Sequence, residues 1–228
     1  MSKKVLIILI IILVIIGGFF VYKKYFKKAP EPAIPKWQKL LVFEIKDSSL
    51  APETAELYKN KFNETKEKLV NKPEDINNWL YLGVLKKMVN DYMGAQDVWL
   101  YVTEKWPKDG TAFGNLGDLY ANFLKEPQKA ETAYKAAILF EPKNVNHYLG
   151  LAEVYRYRMP GKEALYEQTL LEGLKTLGDD GNLIGPLASY YRQTNQIDKA
   201  IEYYEKLVKI APDNQAAKDD LAELKKQR

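Results

Sequence analysis

Cysteine is absent from this chain of 228 residues, and histidine occurs only once. The absence of cysteine excludes disulfide bonds, thiolate metal sites and lipid attachment through cysteine. The chain also lacks a glycine-rich phosphate loop, a G-x-S-x-G sequence and an H-E-x-x-H sequence. We interpret the single histidine, His147, as a surface residue without a partner. These absences predict a protein that is not an enzyme and that uses no cofactor, no metal and no small-molecule substrate.

Acidic residues are missing from the first 28 positions, which contain six lysines. The other 28 Lys and Arg residues face 30 Asp and Glu residues, so the rest of the chain has a net charge of −2. The positive charge therefore belongs to the N-terminal flanks. A soluble part with this charge balance is not expected to bind nucleic acid.

Val5–Tyr22 is an uncharged run of 18 residues, rich in Ile, Leu and Val. A helix of that length just spans a hydrocarbon core of roughly 30 Å. A buried core helix would have a polar face, and a cleaved signal peptide would be followed by a small-x-small site, whereas lysines follow this run. We therefore predict a single-pass membrane protein, with residues 1–28 as a lysine-flanked transmembrane anchor that contacts the membrane through residues 5–22.

The side of the membrane is less strongly determined by the sequence. Lysines are more numerous after the apolar run than before it, so the positive-inside rule favours a cytoplasmic C-terminal domain. Exported proteins also carry short lysine-tipped anchors followed by proline-rich spacers, so an extracytoplasmic domain stays open. Residues 29–51 are predicted to be a linker, since the prolines at its start favour an extended spacer.

Further along the chain, one spacing of residues occurs four times. A bulky residue is followed at i+3 and i+4 by apolar or small residues, which is one face of an α-helix. A second helical set follows, and in three copies a proline ends it. The first copy consists of Trp79, Leu82, Gly83, Ala95, Trp99 and Pro107. Each copy is thus predicted to be a helical hairpin that must stack on its neighbours to bury its apolar face.

The later copies start at Phe113, Tyr148 and Ile184. The second copy has one extra residue, which we place in the turn between its helices, around Lys125–Pro127. In the third copy we assign Ala164 and Leu171 to the packing positions of the second helix. The pattern is then broken at Gln168, where an aromatic is usual, and at Thr176, where proline is usual. The predicted repeats are 76–109, 110–144, 145–180 and 181–214.

The repeated spacing resembles the tetratricopeptide repeat (TPR), W-x2-L-G-x2-Y…A-x3-F…P, which has a period of about 34 residues. The resemblance implies an all-α fold: a right-handed α-solenoid of about four TPR hairpins, preceded here by the single transmembrane helix. Residues 52–75 are expected to form an N-terminal capping helix, and residues 215–228 a C-terminal capping helix, because the ends of a solenoid need polar cover.

In TPR arrays the first helix of each hairpin lines a concave groove that binds a protein or peptide. Carrying those positions over by register gives nine candidate partner-binding residues: Lys87, Met88, Asp118, Asn122, Glu153, Arg156, Tyr157, Ser189 and Arg192. Lys87, Arg156 and Arg192 share one register position, and we hypothesise that they form a basic ladder for an acidic segment or a C-terminal carboxylate. The alternative is that they pair internally, with Glu153 and Asp118 close to Arg156.

Asparagine recurs at one position of three repeats, as Asn77, Asn146 and Asn182. These residues either form a peptide-binding row or cap the helices that start there. Two functional classes follow from the whole sequence. The first is a membrane-tethered scaffold or adaptor that binds a partner through the groove. The second is a structural or assembly factor of a cell-envelope complex.

Overall fold

The computed structural model describes residues 35–227. Within this range the regular structure consists of eleven α-helices and one π-helical turn, without a strand. The all-α prediction is therefore confirmed. None of the described helices is long and apolar enough to cross a membrane. The predicted anchor at residues 1–28 lies outside the described residues.

The chain divides into two compact units, residues 1–41 and residues 42–228. The described part of the first unit contains helix α1, Lys36–Leu40. The second unit contains the other helices, with the following bounds: α2 Pro52–Asn71, α3 Ile76–Met88, α4 Tyr92–Lys105, α5 Gly110–Asp118, the π-helical turn Leu119–Leu124, α6 Pro127–Phe140, α7 Val145–Tyr157, α8 Ala164–Leu177, α9 Gly181–Gln193, α10 Ile197–Ile210 and α11 Gln215–Gln227.

Four hairpins follow one another in the second unit: α3–α4, α5–α6, α7–α8 and α9–α10. Each helix packs against the next one along the chain, with α2 against α3 at one end and α11 against α10 at the other. First helices of neighbouring hairpins also touch, α5 with α7 and α7 with α9. This stacking makes the unit an α-solenoid, in which each hairpin buries its apolar face against its neighbours.

The first helices start at side-chain caps. Asp75, Asn144 and Asp180 each accept a hydrogen bond from the backbone N–H two residues later. The donors are the recurring asparagines 77, 146 and 182, whose own side chains are exposed. The cap is thus supplied by the residue that lies two positions before each asparagine, where a carboxylate or amide oxygen satisfies a free N–H group of the first turn.

The two tryptophans of the first hairpin are completely buried. The exposed fraction of both Trp79 and Trp99 is 0%. The Trp99 indole lies directly on Gly83, where a Cβ atom would be 2.2 Å from Nε1, and the same Nε1 donates to the carbonyl of Leu80 at 3.2 Å. The predicted placement of Trp79, Gly83 and Trp99 on the apolar face of the hairpin is confirmed.

The second helix of the third hairpin differs from the expected register. Ala164 is exposed, and the buried side of α8 consists of Tyr166, Thr169, Leu170 and Gly173. The assignment of Ala164 and Leu171 to packing positions was therefore wrong. The reason is the turn between the helices, residues 158–163, which is longer than the turns 89–91 and 194–196. Gly178, at φ 83°, rather than Thr176, takes the place of the helix-ending proline.

The segment Val42–Asp47, which we call the docked segment, is held on the first hairpin. The backbone N–H groups of residues 46 and 47 both donate to the carbonyl of Val89, at 2.9 and 3.1 Å. Phe43 stacks on Phe62 of α2 with ring centroids 4.6 Å apart. The buried Lys86 ammonium donates to the carbonyl of Val42. These contacts fix the second half of the predicted linker to the solenoid.

Lys86 occupies the position that is tyrosine in the other three first helices. Its Nζ lies 3.2 Å from Oδ2 of Asp91, and both side chains are almost fully buried. Lys46 of the docked segment reaches the other oxygen of Asp91 at 2.9 Å. Burial alone would raise the pKa of Asp91, but the bonds and charges of Lys46 and Lys86 outweigh burial and lower that pKa. The buried pair of Lys86 and Asp91 therefore joins the docked segment to the first repeat, because Asp91 also binds Lys46 and Lys86 also donates to Val42.

Tyrosines at the equivalent position join later repeats to the preceding hairpin. Tyr155 donates to Glu131 of α6 at 3.0 Å, and Lys162 lies 2.8 Å from the other oxygen of that carboxylate. Tyr191 likewise donates to Glu167 of α8 at 2.8 Å. Burial would raise the pKa of Glu131, but hydrogen bonds from Lys135, Lys162 and Tyr155 outweigh it and lower the pKa to about 2.

Candidate partner-binding face

The nine predicted partner-binding residues lie near the C-terminal ends of the four first helices. We call the surface formed by the ends of α3, α5 with its π-helical turn, α7 and α9 the first-helix face. Polar contacts between neighbouring helices cross this face. Its side chains differ in how far these contacts neutralise their charge.

The first contact joins α3 to α5. Lys87 Nζ lies 2.8 Å from Oδ2 of Asp118, and the Asn122 amide donates to Oδ1 of the same carboxylate at 2.8 Å. Lys87 also lies over the ring of Phe123, 5.4 Å from its centroid. Under the alternative of internal pairing Asp118 was to approach Arg156, and the ion pair that Asp118 forms is with Lys87 of α3. The Lys87 charge is therefore compensated within the protein.

The last contact joins α9 to the closing helix α11. Arg192 bonds to Asp220 at 2.6 Å and to Glu223 at 3.1 Å. The charge of Asp220 is the largest cause that raises the pKa of Arg192. Ser189 lines the adjoining cleft of about 300 Å³ with Arg192, Tyr204 and Asp220. Two cations of the hypothesised ladder, Lys87 and Arg192, are thus paired internally with carboxylates.

The third cation, Arg156 of α7, has different surroundings. Its guanidinium donates to the side-chain oxygen of Gln193. It also lies over three tyrosine rings, with centroids 5.2 Å away for Tyr157, 4.6 Å for Tyr166 and 5.3 Å for Tyr190. None of these partners carries a negative charge, so none of them compensates the positive charge of Arg156 on the first-helix face.

The π-helical turn changes the second repeat. Leu119–Leu124 continues α5 and ends at Lys125, which has φ 58°. The extra residue of this repeat is absorbed in the turn, so the expected insertion around Lys125–Pro127 was placed too late. The turn brings Phe123 within 4.9 Å of the Tyr92 ring. Such turns inside α-helices are frequent at functional sites.

Large apolar and aromatic side chains remain exposed on this face. The exposed fractions are 50% for Met88, 39% for Phe123 and 63% for Tyr157. Glu153 is also exposed and lines a small cleft with Asn122, Tyr157 and Arg158. Sequence reasoning missed Phe123 and Arg158, and the extra residue of the second repeat was the one signal that pointed towards Phe123.

A second, apolar cleft lies between α4, α5 and α6. It has a volume of about 400 Å³ and is lined by Leu100, Phe113, Leu116 and Tyr120, together with residues of one side of α6. Its walls come from the second helices α4 and α6, from Phe113 and Leu116 of α5 and from Tyr120 of the π-helical turn, and none of the nine predicted partner-binding residues lines it. Nothing in the repeat pattern singled it out.

His147 is buried, with an exposed fraction of 4%. Its Nε2 lies 3.2 Å from Oε2 of Glu141, and the other oxygen of Glu141 accepts from the N–H and hydroxyl of Thr111. The interpretation of His147 as a surface residue without a partner was wrong. The ring fills space above Gly114, where a Cβ atom would be 2.5 Å from its Cε1. These contacts join the second and third hairpins.

Two segments of the chain match a known repeat family. The sequence model of the tetratricopeptide repeat matches residues 110–144 and 187–214. These two segments are therefore tetratricopeptide repeats. Anaphase-promoting complex subunit 7 of Arabidopsis thaliana is 30% identical over 121 residues, which are 53% of this chain and 21% of that protein. The chain thus spans about one fifth of the length of this curated relative.

Solved TPR structures have the same fold. A thermophilic TPR protein of Thermus thermophilus superposes with a TM-score of 0.53 and 17% identity, over 75% of this chain and 92% of that one. YrrB, described as a TPR protein with an unusual peptide-binding site, superposes with a TM-score of 0.53 and 15% identity, over 70% of this chain and 81% of that one. Identities this low establish the TPR fold alone.

Proposed function

We propose that this TPR protein is a membrane-tethered scaffold or adaptor that binds a protein or peptide partner on its first-helix face. TPR proteins in general mediate protein–protein interactions. The observation that carries the proposal is the exposure of Met88, Phe123 and Tyr157 beside polar and charged side chains. Aromatic side chains and Met are enriched where proteins bind one another, and a polar surround supplies specificity.

The tether is part of the same proposal. Val5–Tyr22, with its lysine flanks, would hold the solenoid at the membrane, and the lysine bias favours the cytoplasmic side. If the tether is present, the full-length protein will need detergent, whereas residues 36–228 alone will be soluble. Recovery of a mature protein without residues 1–28 would contradict the tether and indicate a cleaved signal peptide.

A second candidate function is that of a structural or assembly factor of a cell-envelope complex. The apolar cleft between α4, α5 and α6 favours it, because this apolar site of about 400 Å³ offers packing surface that none of the nine predicted partner-binding residues lines. In neither function does the chain act as an enzyme.

Site-specific photocrosslinking tests which face binds. A benzophenone amino acid would replace Met88 or Tyr157 on the first-helix face, and Thr132 or Leu139 on the second helices. Leu139 is a matched control, since its exposed fraction is 72%. We expect a discrete crosslinked partner from Met88 and Tyr157 only. Crosslinks from Thr132 and Leu139 alone would support the assembly function and contradict the proposed binding face.

A further inference from the structure

Arginine is rare in this protein and is concentrated at one place. Four of the 34 Lys and Arg residues are arginine, and three of these four lie between positions 156 and 192. Arg156 and Arg158 lie at the end of α7, and Arg192 lies at the end of α9. Arginine differs from lysine because its planar guanidinium can bind one carboxylate through two parallel hydrogen bonds and can stack on aromatic rings.

Two of the three arginines lack an acidic partner among the described residues. Lys87 and Arg192, on either side, are each bonded to carboxylates. Within residues 35–227, by contrast, Arg156 and Arg158 form no ion pair: Arg156 donates to the amide oxygen of Gln193, and Arg158 donates to that of Asn122 at 3.4 Å. An amide oxygen orients a guanidinium but leaves its charge uncompensated.

The surroundings of Arg156 hold it in place for a ligand. The rings of Tyr157, Tyr166 and Tyr190 lie about its guanidinium at centroid distances from 4.6 to 5.3 Å. These contacts restrict the side chain before any partner binds, so less conformational entropy is lost on binding. Tyr157, with 63% of its surface exposed, offers an aromatic contact between the two arginines.

We propose that Asn122, Arg156, Tyr157, Arg158 and Gln193, the arginine patch, bind an acidic segment of the partner through Asp or Glu carboxylates. This inference rests on the proposed function and names the chemistry of its ligand. The two uncompensated guanidiniums bind the carboxylates, and the amides of Asn122 and Gln193 set their spacing. Glu153 is the nearby carboxylate on α7, and it lowers the affinity of the patch for acidic ligands by repulsion.

Fluorescence anisotropy with full-length protein in detergent tests the patch directly. The probe is a short fluorescein-labelled peptide with alternating Glu residues around one Phe, and its control has Gln in place of Glu. We expect the Glu peptide to bind about tenfold tighter than the Gln peptide, because charge-assisted bonds are the stronger ones. We expect this preference to weaken with added NaCl.

Substitutions connect the preference to the patch. Arg156→Ala with Arg158→Ala should remove the preference for the Glu peptide. Arg156→Lys with Arg158→Lys should retain only part of it, since lysine cannot form two parallel hydrogen bonds to one carboxylate. Glu153→Gln should tighten binding of the Glu peptide. The matched control is Lys209→Ala with Lys218→Ala, two exposed lysines on α10 and α11 without an ion pair in the described residues. We expect this control to change the affinity less than about twofold.

Equal binding of the Glu and Gln peptides, or an equal loss in the lysine control, would overturn the arginine patch. Met88 lies outside the patch, so its photocrosslink shows whether the first-helix face binds a partner even if the arginine patch does not bind acidic ligands. If the crosslink persists in Arg156→Ala/Arg158→Ala, the first-helix face is still the binding surface, and only the proposal of an acidic ligand is contradicted. Absence of any crosslink from this face in the unsubstituted protein would contradict the proposed function itself.

Discussion

Lys86 and Lys87 of the first repeat hold the same two positions as Tyr155 and Arg156 of the third repeat. The inward residue is a buried lysine paired with Asp91 in the first repeat and a tyrosine bonded to Glu131 in the third. The outward residue is paired with Asp118 in the first repeat, whereas Arg156 has no acidic partner in the part of the chain that the structure describes. The difference shows that carboxylates of the protein compensate both lysines of the first repeat, whereas the proposed acidic ligand would contact Arg156 of the third repeat.

The largest expected effect is at the buried ion pair. Asp91→Asn keeps an oxygen that can cap α4 but leaves the Lys86 charge buried without a carboxylate, so we expect unfolding free energy to fall by about 3–5 kcal/mol. Urea denaturation would measure it. Glu64→Gln, which breaks an exposed pair with Lys68, is the control and should have little effect.

A double substitution sharpens this prediction. Lys86→Met combined with Asp91→Asn leaves no buried charge, so it should recover part of the loss. A loss from Asp91→Asn no larger than that from Glu64→Gln would show that the docked segment is not held by this pair. It would also remove the distinction between the first repeat and the others.

Glu131, which joins the second hairpin to the third, should make the free energy of unfolding depend on pH. Its pKa is lowered from 4.5 to about 2 in the folded protein, so its contribution is fully present above about pH 4.5 and is lost as the pH falls towards 2. After allowance for solvent screening, we expect Glu131→Gln to cost about 1–2 kcal/mol at pH 7 and progressively less below pH 4.5. Urea denaturation at several pH values would measure the free energy of unfolding of both proteins. A difference between Glu131→Gln and the unsubstituted protein that does not change with pH would contradict stabilisation of this carboxylate by Tyr155 and the two lysines.

The smallest expected effect is at the partly exposed pair of Lys87 and Asp118, which joins the first repeat to the second. Lys87→Ala should lower the unfolding free energy by only about 0.2–1 kcal/mol, because partly exposed ion pairs contribute little. A double-mutant cycle with Asp118→Ala would isolate the pair. A coupling well above this range would show that the contact between α3 and α5 stabilises the solenoid, in contrast to our account of it as a neutralised surface pair.

The packing of the repeats followed from the sequence wherever the spacing was regular. Trp79, Gly83 and Trp99 occupy the predicted positions because helical periodicity within one hairpin determines which side chains face the core. Ala164 misled the prediction because the long turn before it placed an alanine at the expected spacing but outside the core. Gly178, two residues beyond Thr176, ends that helix through a positive φ that proline cannot adopt.

The charged contacts were less accessible from the sequence. A lysine at position 86 breaks the apolar pattern, and its partners lie in a turn and in the docked segment rather than on its own helix. The difference between Arg156 and Arg192 depends on α11, which presents Asp220 only to the second of the two. Residues that contact each other between separate elements have no fixed sequence spacing, so periodicity does not reveal them.

The most direct test of the account compares charge reversal at these two arginines. Arg156→Glu and Arg192→Glu would each be introduced into full-length protein carrying the benzophenone amino acid at Met88, and partner crosslinking and Tm would be measured together. We predict that Arg156→Glu abolishes the crosslink with little change in Tm. We predict that Arg192→Glu keeps the crosslink but lowers Tm, since it places a third carboxylate beside Asp220 and Glu223. Loss of the crosslink in Arg192→Glu but not in Arg156→Glu, or equal loss in both at unchanged Tm, would contradict the account.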